Sequence, residues 1–225
     1  MAVERIRLPN GDVVVFDEWL HWPIYSTIEW AAAQGLNLRA FSYVRGSRVP
    51  AQGIAARNAT STDTNQVAKS RMNWDESYRL FSITYEPFGL TNATLSNSPS
   101  LLVAQAPQFT AANLRRLQRD LMVEFYVGAD IDKPQVRAPF SYYHQGIGPV
   151  VYGNGDSPGA GIAFSHGTGG YVRWASQRRF NFPVKIGGDR VMYLKTHSAF
   201  GAVAGLTQSV RLRWYLDGVR RRPLG

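Results

Sequence analysis

Period-two alternation of apolar and polar positions is the commonest pattern along the chain. In residues 209–216, Val210, Leu212, Trp214 and Leu216 fall on one side and Arg211, Arg213 and Tyr215 on the other, as a half-buried strand requires. Residues 179–186 repeat the pattern, with Phe180, Phe182, Val184 and Ile186 inward and Arg179, Asn181 and Lys185 outward. Pro183 on the outer side of that run marks an edge strand, because it has no N–H for a further neighbour. Leu121, Val123, Phe125 and Val127 alternate with Met122, Glu124 and Tyr126, and residues 79–85 place Phe81, Ile83 and Tyr85 together. Further strands are expected at 5–8, 12–16, 38–44, 139–143, 150–152, 161–164 and 190–196, with Asn10-Gly11 as a hairpin turn between the first two.

Two helices interrupt this series. Ser26-Thr27-Ile28-Glu29 reads as a capping box, with Tyr25 stapling to Trp30, Ala31 to Ala33 propagating and Gly35 as the stop. The second helix opens at Thr110, with Phe109 and Leu114 at stapling positions and Arg115, Arg116 and Arg119 near its C-terminal end, where the dipole favours cations. Short strands, Gly/Pro/Asn-rich connections and two connector helices predict an all-β fold, an antiparallel β-sandwich of jelly-roll type. No composition break or long linker divides the chain, so one domain is expected over 1–225, with a hairpin and short helix in 1–35 and basic strands in 171–225.

Composition narrows the chemistry. The 225 residues include no cysteine, which removes disulfides, thiolate metal sites and cysteine nucleophiles. No apolar run approaches the ~20 residues of a membrane-spanning helix, and Glu4, Arg5 and Arg7 occupy the place where a signal peptide would need an apolar core. Asn58-Ala59-Thr60 and Asn92-Ala93-Thr94 therefore read as polar loops rather than glycosylation sites. Charge is sorted along the chain: residues 1–35 hold two basic and five acidic groups, and residues 171–225 hold eleven basic and two acidic, which alone equals the net +9 of the whole.

Candidate catalytic motifs lack essential members. His166-Gly167-Thr168-Gly169-Gly170 is rich enough in glycine for an oxyanion hole, but no Gly-x-Ser-x-Gly turn accompanies it. The stretch Gly153 to Gly159 fails the dinucleotide fingerprint at Pro158, so both segments read as turns. His21, His144, His166 and His197 have no ligand spacing, and Asp130-Ile131-Asp132 loses its calcium pattern at Lys133-Pro134. The adjacent pairs Asp17-Glu18 and Asp75-Glu76 diverge on a strand and make no glycosidase pair. No catalytic residue, metal site, cofactor or small-molecule substrate is expected. The aromatics Trp19, Trp22, Tyr25 and Trp30 around Pro23 are read as core or subunit contact, with a sugar-stacking platform as the alternative.

The basic C-terminal quarter carries the most pointed chemistry. Arg173, Arg178, Arg179, Arg211, Arg213, Arg220, Arg221 and Arg222 form the expected basic face, joined by Lys185, Arg190 and Lys195 on preceding strands and loops. Guanidinium groups in such numbers suit phosphates of nucleic acid or anionic lipid headgroups, or the acidic residues of a neighbouring subunit.

The strand Val210 to Leu216 with its Asp217-Gly218-Val219-Arg220-Arg221-Arg222-Pro223 tail, the antiparallel strand series and the polar loop Ala59-Thr60-Ser61-Thr62-Asp63-Thr64-Asn65 resemble a jelly-roll capsid protein of a tailless icosahedral virus or phage. That resemblance implies a non-enzymatic virion subunit, made in a host cytoplasm, that self-assembles into an icosahedral shell. Its implied partners are identical subunits and other virion proteins, with genome nucleic acid or an internal anionic membrane beneath the shell. The acidic first 35 residues depart from the basic genome-binding arm of many small capsid proteins. An acidic start and a basic end on one chain also favour contacts between copies that weaken with salt. Two other functions fit the composition: a module binding single-stranded nucleic acid through the basic quarter, and a lectin-like carbohydrate-binding sandwich.

Overall fold

The computed structural model describes residues 5–7, 13–15, 19–32, 34–71, 76–90, 111–128, 133–145, 149–152, 164–167, 179–188, 190–206 and 209–221. The strands in chain order are β1 (Arg5–Arg7), β2 (Val13–Val15), β3 (Trp19–His21), β4 (Ile24–Trp30), β5 (Gly35–Ala40), β6 (Ala51–Gln52), β7 (Ser77–Leu90) and β8 (Leu121–Val127). They continue as β9 (Val136–Pro139), β10 (His144–Gln145), β11 (Pro149–Tyr152), β12 (Phe164–Gly167), β13 (Arg179–Gly187), β14 (Met192–Ala202) and β15 (Ser209–Arg221). Helix α1 (Ala111–Asp120) leads directly into β8, and a 3-10 turn at Phe140–Tyr142 follows β9.

The described residues are mostly β with one α-helix, arranged as two principal sheets, one curled into a half-barrel. In the larger sheet β4, β15, β7 and β13 lie side by side, all antiparallel, with β3 beside the end of β15. In the smaller sheet the order is β5-β14-β8-β9, again all antiparallel. The strands from near the two ends of the chain, β4 and β15, are thus neighbours.

The core between the sheets follows the alternation. Val210, Leu212, Trp214 and Leu216 of β15 are fully buried, and their cross-strand partners Trp30, Ile28, Ser26 and Ile24 are buried beside them. Opposite stand Leu121, Val123, Phe125 and Val127 of β8 and Met192 and Leu194 of β14. Trp214 is edge-on to Phe140 and Tyr143 at centroid separations of 5.5 and 5.6 Å and to Tyr85 at 5.7 Å. Each such pair adds about 0.5–1.5 kcal/mol beyond the burial of its area.

Several expectations need correction. The helix expected from Ser26 to Gly35 is strand β4 followed by a turn into β5, so one connector helix is described instead of two. A capping box contributes about 1 kcal/mol locally, whereas β4 pairs with β15 at seven consecutive positions and buries Ile28 and Trp30 completely. The strand expected at 38–44 ends at Ala40, where Phe41 turns the chain with φ of 61°. The strand expected at 139–143 is β9 ending at Pro139, and Phe140 enters the core from the 3-10 turn instead. His166-Gly167, read as part of a turn, belongs to β12, which pairs antiparallel with β11. The Asn10-Gly11 turn, the calcium-like Asp130-Ile131-Asp132 and the 153–159 glycines lie outside the described residues, although β1 and β2 pair as that hairpin requires.

Strand β7 departs from strict alternation. Tyr78 and Leu80 face the core, and so do Ile83 and Tyr85, because Phe81 is an extra residue: Asp217 pairs with Ser82 while Gly218 pairs with Leu80. Such a bulge reverses the facing of every residue beyond it. Gly218 sits at the bulge, where an added Cβ would lie inside the contact distance of the Arg79 carbonyl oxygen and 2.8–2.9 Å from the Tyr78 ring. The Tyr78 hydroxyl is 2.8 Å from the Trp22 carbonyl oxygen and 2.7 Å from that of Leu216, which ties three strands at this point.

Candidate functional site

The outer face of the larger sheet divides into a paired end and a basic end. At the first, Arg211 lies opposite Glu29 of β4 and donates to it at 2.6 Å. Arg57, from the long connection after β5, donates to the same carboxylate at 2.6 Å and to Asp63 at 2.6 and 2.8 Å. Both carboxylate side chains are only 2% exposed. Asp63 also accepts from the backbone N–H and hydroxyl of Thr60, each at 2.9 Å. Burial alone would raise its pKa, but the hydrogen bonds from Arg57 and Thr60 outweigh it and bring Asp63 down to about 2.

This network fastens the 41–66 connection along the outer edge of β4, where β6 of that connection pairs parallel to it. Backbone N–H groups of Glu29 and Ala31 donate to Pro50 and Gln52, and the buried Tyr43 hydroxyl accepts from Thr27 N–H at 2.9 Å. The polar loop Ala59 to Asn65 is therefore a packed clamp, with Asp63 and Thr64 buried, and not a freely solvated turn. One row further along, Arg213 stands 3.4 Å from Glu86, which also accepts from the Tyr215 hydroxyl at 2.6 Å. Burial and the Glu86 carboxylate together push Tyr215 up to about 12. Beyond it Asp217 is 2.7 Å from His21.

Past the bulge the pairing changes character. Arg79 and Ser77 of β7 point to the outer face, with Lys185 and Gly187 of β13 opposite them on one side and Val219 and Arg221 of β15 on the other. Arg190, in the turn from β13 to β14, closes the ring. The result is an open cleft of about 530 Å³ lined by Ser77, Arg79, Lys185, Gly187, Arg190 and Arg221 over a floor of Tyr78 and Ile186. Four cations and no carboxylate line it among the described residues. Arg79 and Arg221 also contact other groups of the chain, while Lys185 and Arg190 are exposed.

The expected basic face is therefore split. Arg211 and Arg213 lie in the paired end; Arg220 stacks on Trp22 at 4.3 Å and is 3.3 Å from Glu76; Arg221 lines the cleft. Arg179 pairs through its backbone with Ser82 at the far end of β13. Arg173, Arg178 and Arg222 lie outside the described residues. Of the aromatics around Pro23, Trp30 is fully buried and Trp22 is 37% exposed. Sequence reasoning missed Arg79 because alternation gives it the same side as Phe81, Ile83 and Tyr85, and only the bulge turns it outward.

A second charged group occupies the outer face of the smaller sheet. Glu124 accepts from the Tyr126 hydroxyl at 2.8 Å and lies near Arg137, His197 and Lys195 at 3.1, 3.6 and 4.0 Å. Burial opposes ionisation of Glu124, yet the Tyr126 hydrogen bond and the neighbouring His197, Lys195 and Arg137 side chains hold it below the usual carboxylate range. Tyr126 stacks on Tyr193, and Arg39 lies over the Tyr193 ring at 4.7 Å. Among the described residues no three His, Asp or Glu side chains converge as metal ligands, and no helix is long and apolar enough to cross a membrane. No protein-family model, curated protein or solved structure matches this chain.

Proposed function

We propose that the chain is a structural, non-enzymatic subunit of a virus shell, folded as a single jelly roll, with copies of itself and other virion proteins as partners. One observation carries this reading. When the eight strands of the two principal sheets that flank the core (β4, β5, β7, β8, β9, β13, β14, β15) are numbered one to eight in chain order, the sheets run 1-8-3-6 and 2-7-4-5. This is the order produced by folding one long antiparallel ribbon over itself, the double Greek key of jelly rolls. The space between the sheets is filled by Trp30, Trp214, Tyr85, Phe125 and Phe140. A sandwich so filled uses its edges and faces to meet neighbours, where ligand-holding barrels keep an interior cavity.

The experiment is negative-stain electron microscopy with sedimentation velocity on the full-length protein across ionic strength. Closed shells, or rings and caps built from one repeating contact, are the expected result. A protein that stays monomeric at millimolar concentration in both low and high salt overturns the reading.

A further inference from the structure

We propose that the outer face of the smaller sheet docks an extended segment of a partner protein in which acidic, basic and acidic side chains follow one another at every second position. The inference stands on the charge order of that face; it adds a partner of stated chemistry to the shell reading and does not depend on it. Arg39 lies directly opposite Lys195, Lys195 opposite Glu124 and Glu124 opposite Arg137. One row thus crosses β5, β14, β8 and β9 as cation, cation, carboxylate, cation. Glu124 serves Arg137 at 3.1 Å and Lys195 at 4.0 Å. Arg39 lies over the Tyr193 ring at 4.7 Å, and among the described residues no carboxylate accompanies it. One carboxylate for three cations leaves the row with an excess of positive charge that faces solvent: Arg39 is exposed, as are 63% of the Arg137 side chain and 30% of the Lys195 side chain.

Spacing selects the partner. Neighbouring strands lie about 4.8 Å apart, so the four groups spread over about 14 Å, and an extended peptide brings every second side chain to one face about 6.8 Å further on. With an acidic side chain seated between Arg39 and Lys195, the second residue along falls on Glu124 and the fourth on Arg137. Complementarity then asks for a basic group over Glu124 and a second carboxylate on the Arg137 fork. A chain of uniform negative charge, or an anionic bilayer, sets one of its charges against Glu124 instead. A second copy is the poorer occupant. Every described carboxylate is engaged by a basic side chain of its own chain, and none has more than 18% of its side chain exposed.

The test measures binding of two fluorescein-labelled peptides to the full-length protein by anisotropy, one containing Glu-Thr-Lys-Thr-Glu and the other Glu-Thr-Glu-Thr-Glu. The first carries less negative charge, so attraction to the protein's net charge of +9 alone favours the second. The parent should nevertheless bind the first at least about threefold tighter, and Glu124→Gln should abolish or reverse that preference. Arg39→Gln/Arg137→Gln should weaken binding of the first peptide at least about tenfold. Arg45→Gln/Arg48→Gln, which removes the same charge at two exposed positions elsewhere, should stay within about threefold of the parent.

Tighter binding of the all-acidic peptide by the parent, or binding of neither peptide, overturns the proposal. So does equal weakening in the two double variants, which leaves only net charge, and so does a preference that survives Glu124→Gln. Binding of an oligonucleotide or of phosphatidylserine vesicles that Arg39→Gln/Arg137→Gln alone loses, with peptide binding unchanged, overturns it in favour of another anion. Loss of self-association in that variant by sedimentation velocity, again with peptide binding unchanged, overturns it in favour of a second copy. Electron micrographs of the same preparations report assembly separately, so peptide binding without shells, or shells without peptide binding, distinguishes this inference from the proposed function.

Discussion

Arg57→Ala tests whether the Glu29–Arg57–Asp63 network holds the 41–66 connection to the sheet. Truncation leaves Glu29 paired with Arg211 and strips Asp63 of the Arg57 guanidinium, with Thr60 still donating. Removing one partner of a buried ion pair costs about 3–5 kcal/mol, because the other charge stays buried without compensation. Acidity supplies an independent figure for Asp63, which is held at about 2 against a reference of 3.8. That gap amounts to about 2.5 kcal/mol at 1.36 kcal/mol per pH unit. Because the folded value is the lower one, this stability is present above the unfolded value and is lost as pH falls from about 4 to about 2. Urea unfolding followed by tryptophan fluorescence should show Arg57→Ala losing about 3–5 kcal/mol at neutral pH. Asp63→Asn should lose part of that and flatten the acid limb by about one proton between pH 4 and 2. An Arg57→Ala protein within about 1 kcal/mol of the parent, or an unchanged acid limb in Asp63→Asn, refutes the argument and leaves the network a surface ornament.

Gly218→Ala places a Cβ against the Arg79 carbonyl and the Tyr78 ring; forcing the bulge apart should cost at least about 3 kcal/mol and lower the melting midpoint by about 6–12 °C. A midpoint within about 2 °C of the parent would show that the bulge opens freely. On the smaller sheet, burial and the Glu124 carboxylate push Tyr126 up to about 12. Glu124→Gln should bring the Tyr126 titration, read from its ring carbon by NMR, down toward 10, and an unmoved midpoint rejects that coupling.

Legibility from sequence followed how local each determinant is. The facing of β15 was readable because its alternation from Val210 to Leu216 is unbroken and every inward residue is apolar. Helix α1 was readable from its arginines and its junction with the Leu121 strand. The stretch 26–35 was misread because a helix start is signalled within four residues, while the competing strand is stabilised by β15, more than 180 residues away. The bulge at Phe81 exists only as a mismatch between two strands, so no window on one of them contains it, and with it went Arg79. Glu29, Arg57 and Asp63 are similarly scattered, and only the return of the 41–66 connection across the β4 edge brings them within hydrogen-bond reach.

Charge sorting along the chain suggested attraction between copies, and the fold changes the consequence of that sorting. Glu29 and Arg211 satisfy each other inside one chain, as do His21 and Asp217, because β4 and β3 lie beside β15. These pairs are unavailable to bridge neighbours, while the net charge of +9 remains. Copies brought together in a shell repel through that excess, and the repulsion is screened within about 10 Å at 0.1 M salt. Where that repulsion outweighs the attraction of unlike charges read from the sequence, assembly of the proposed shell should strengthen as salt rises.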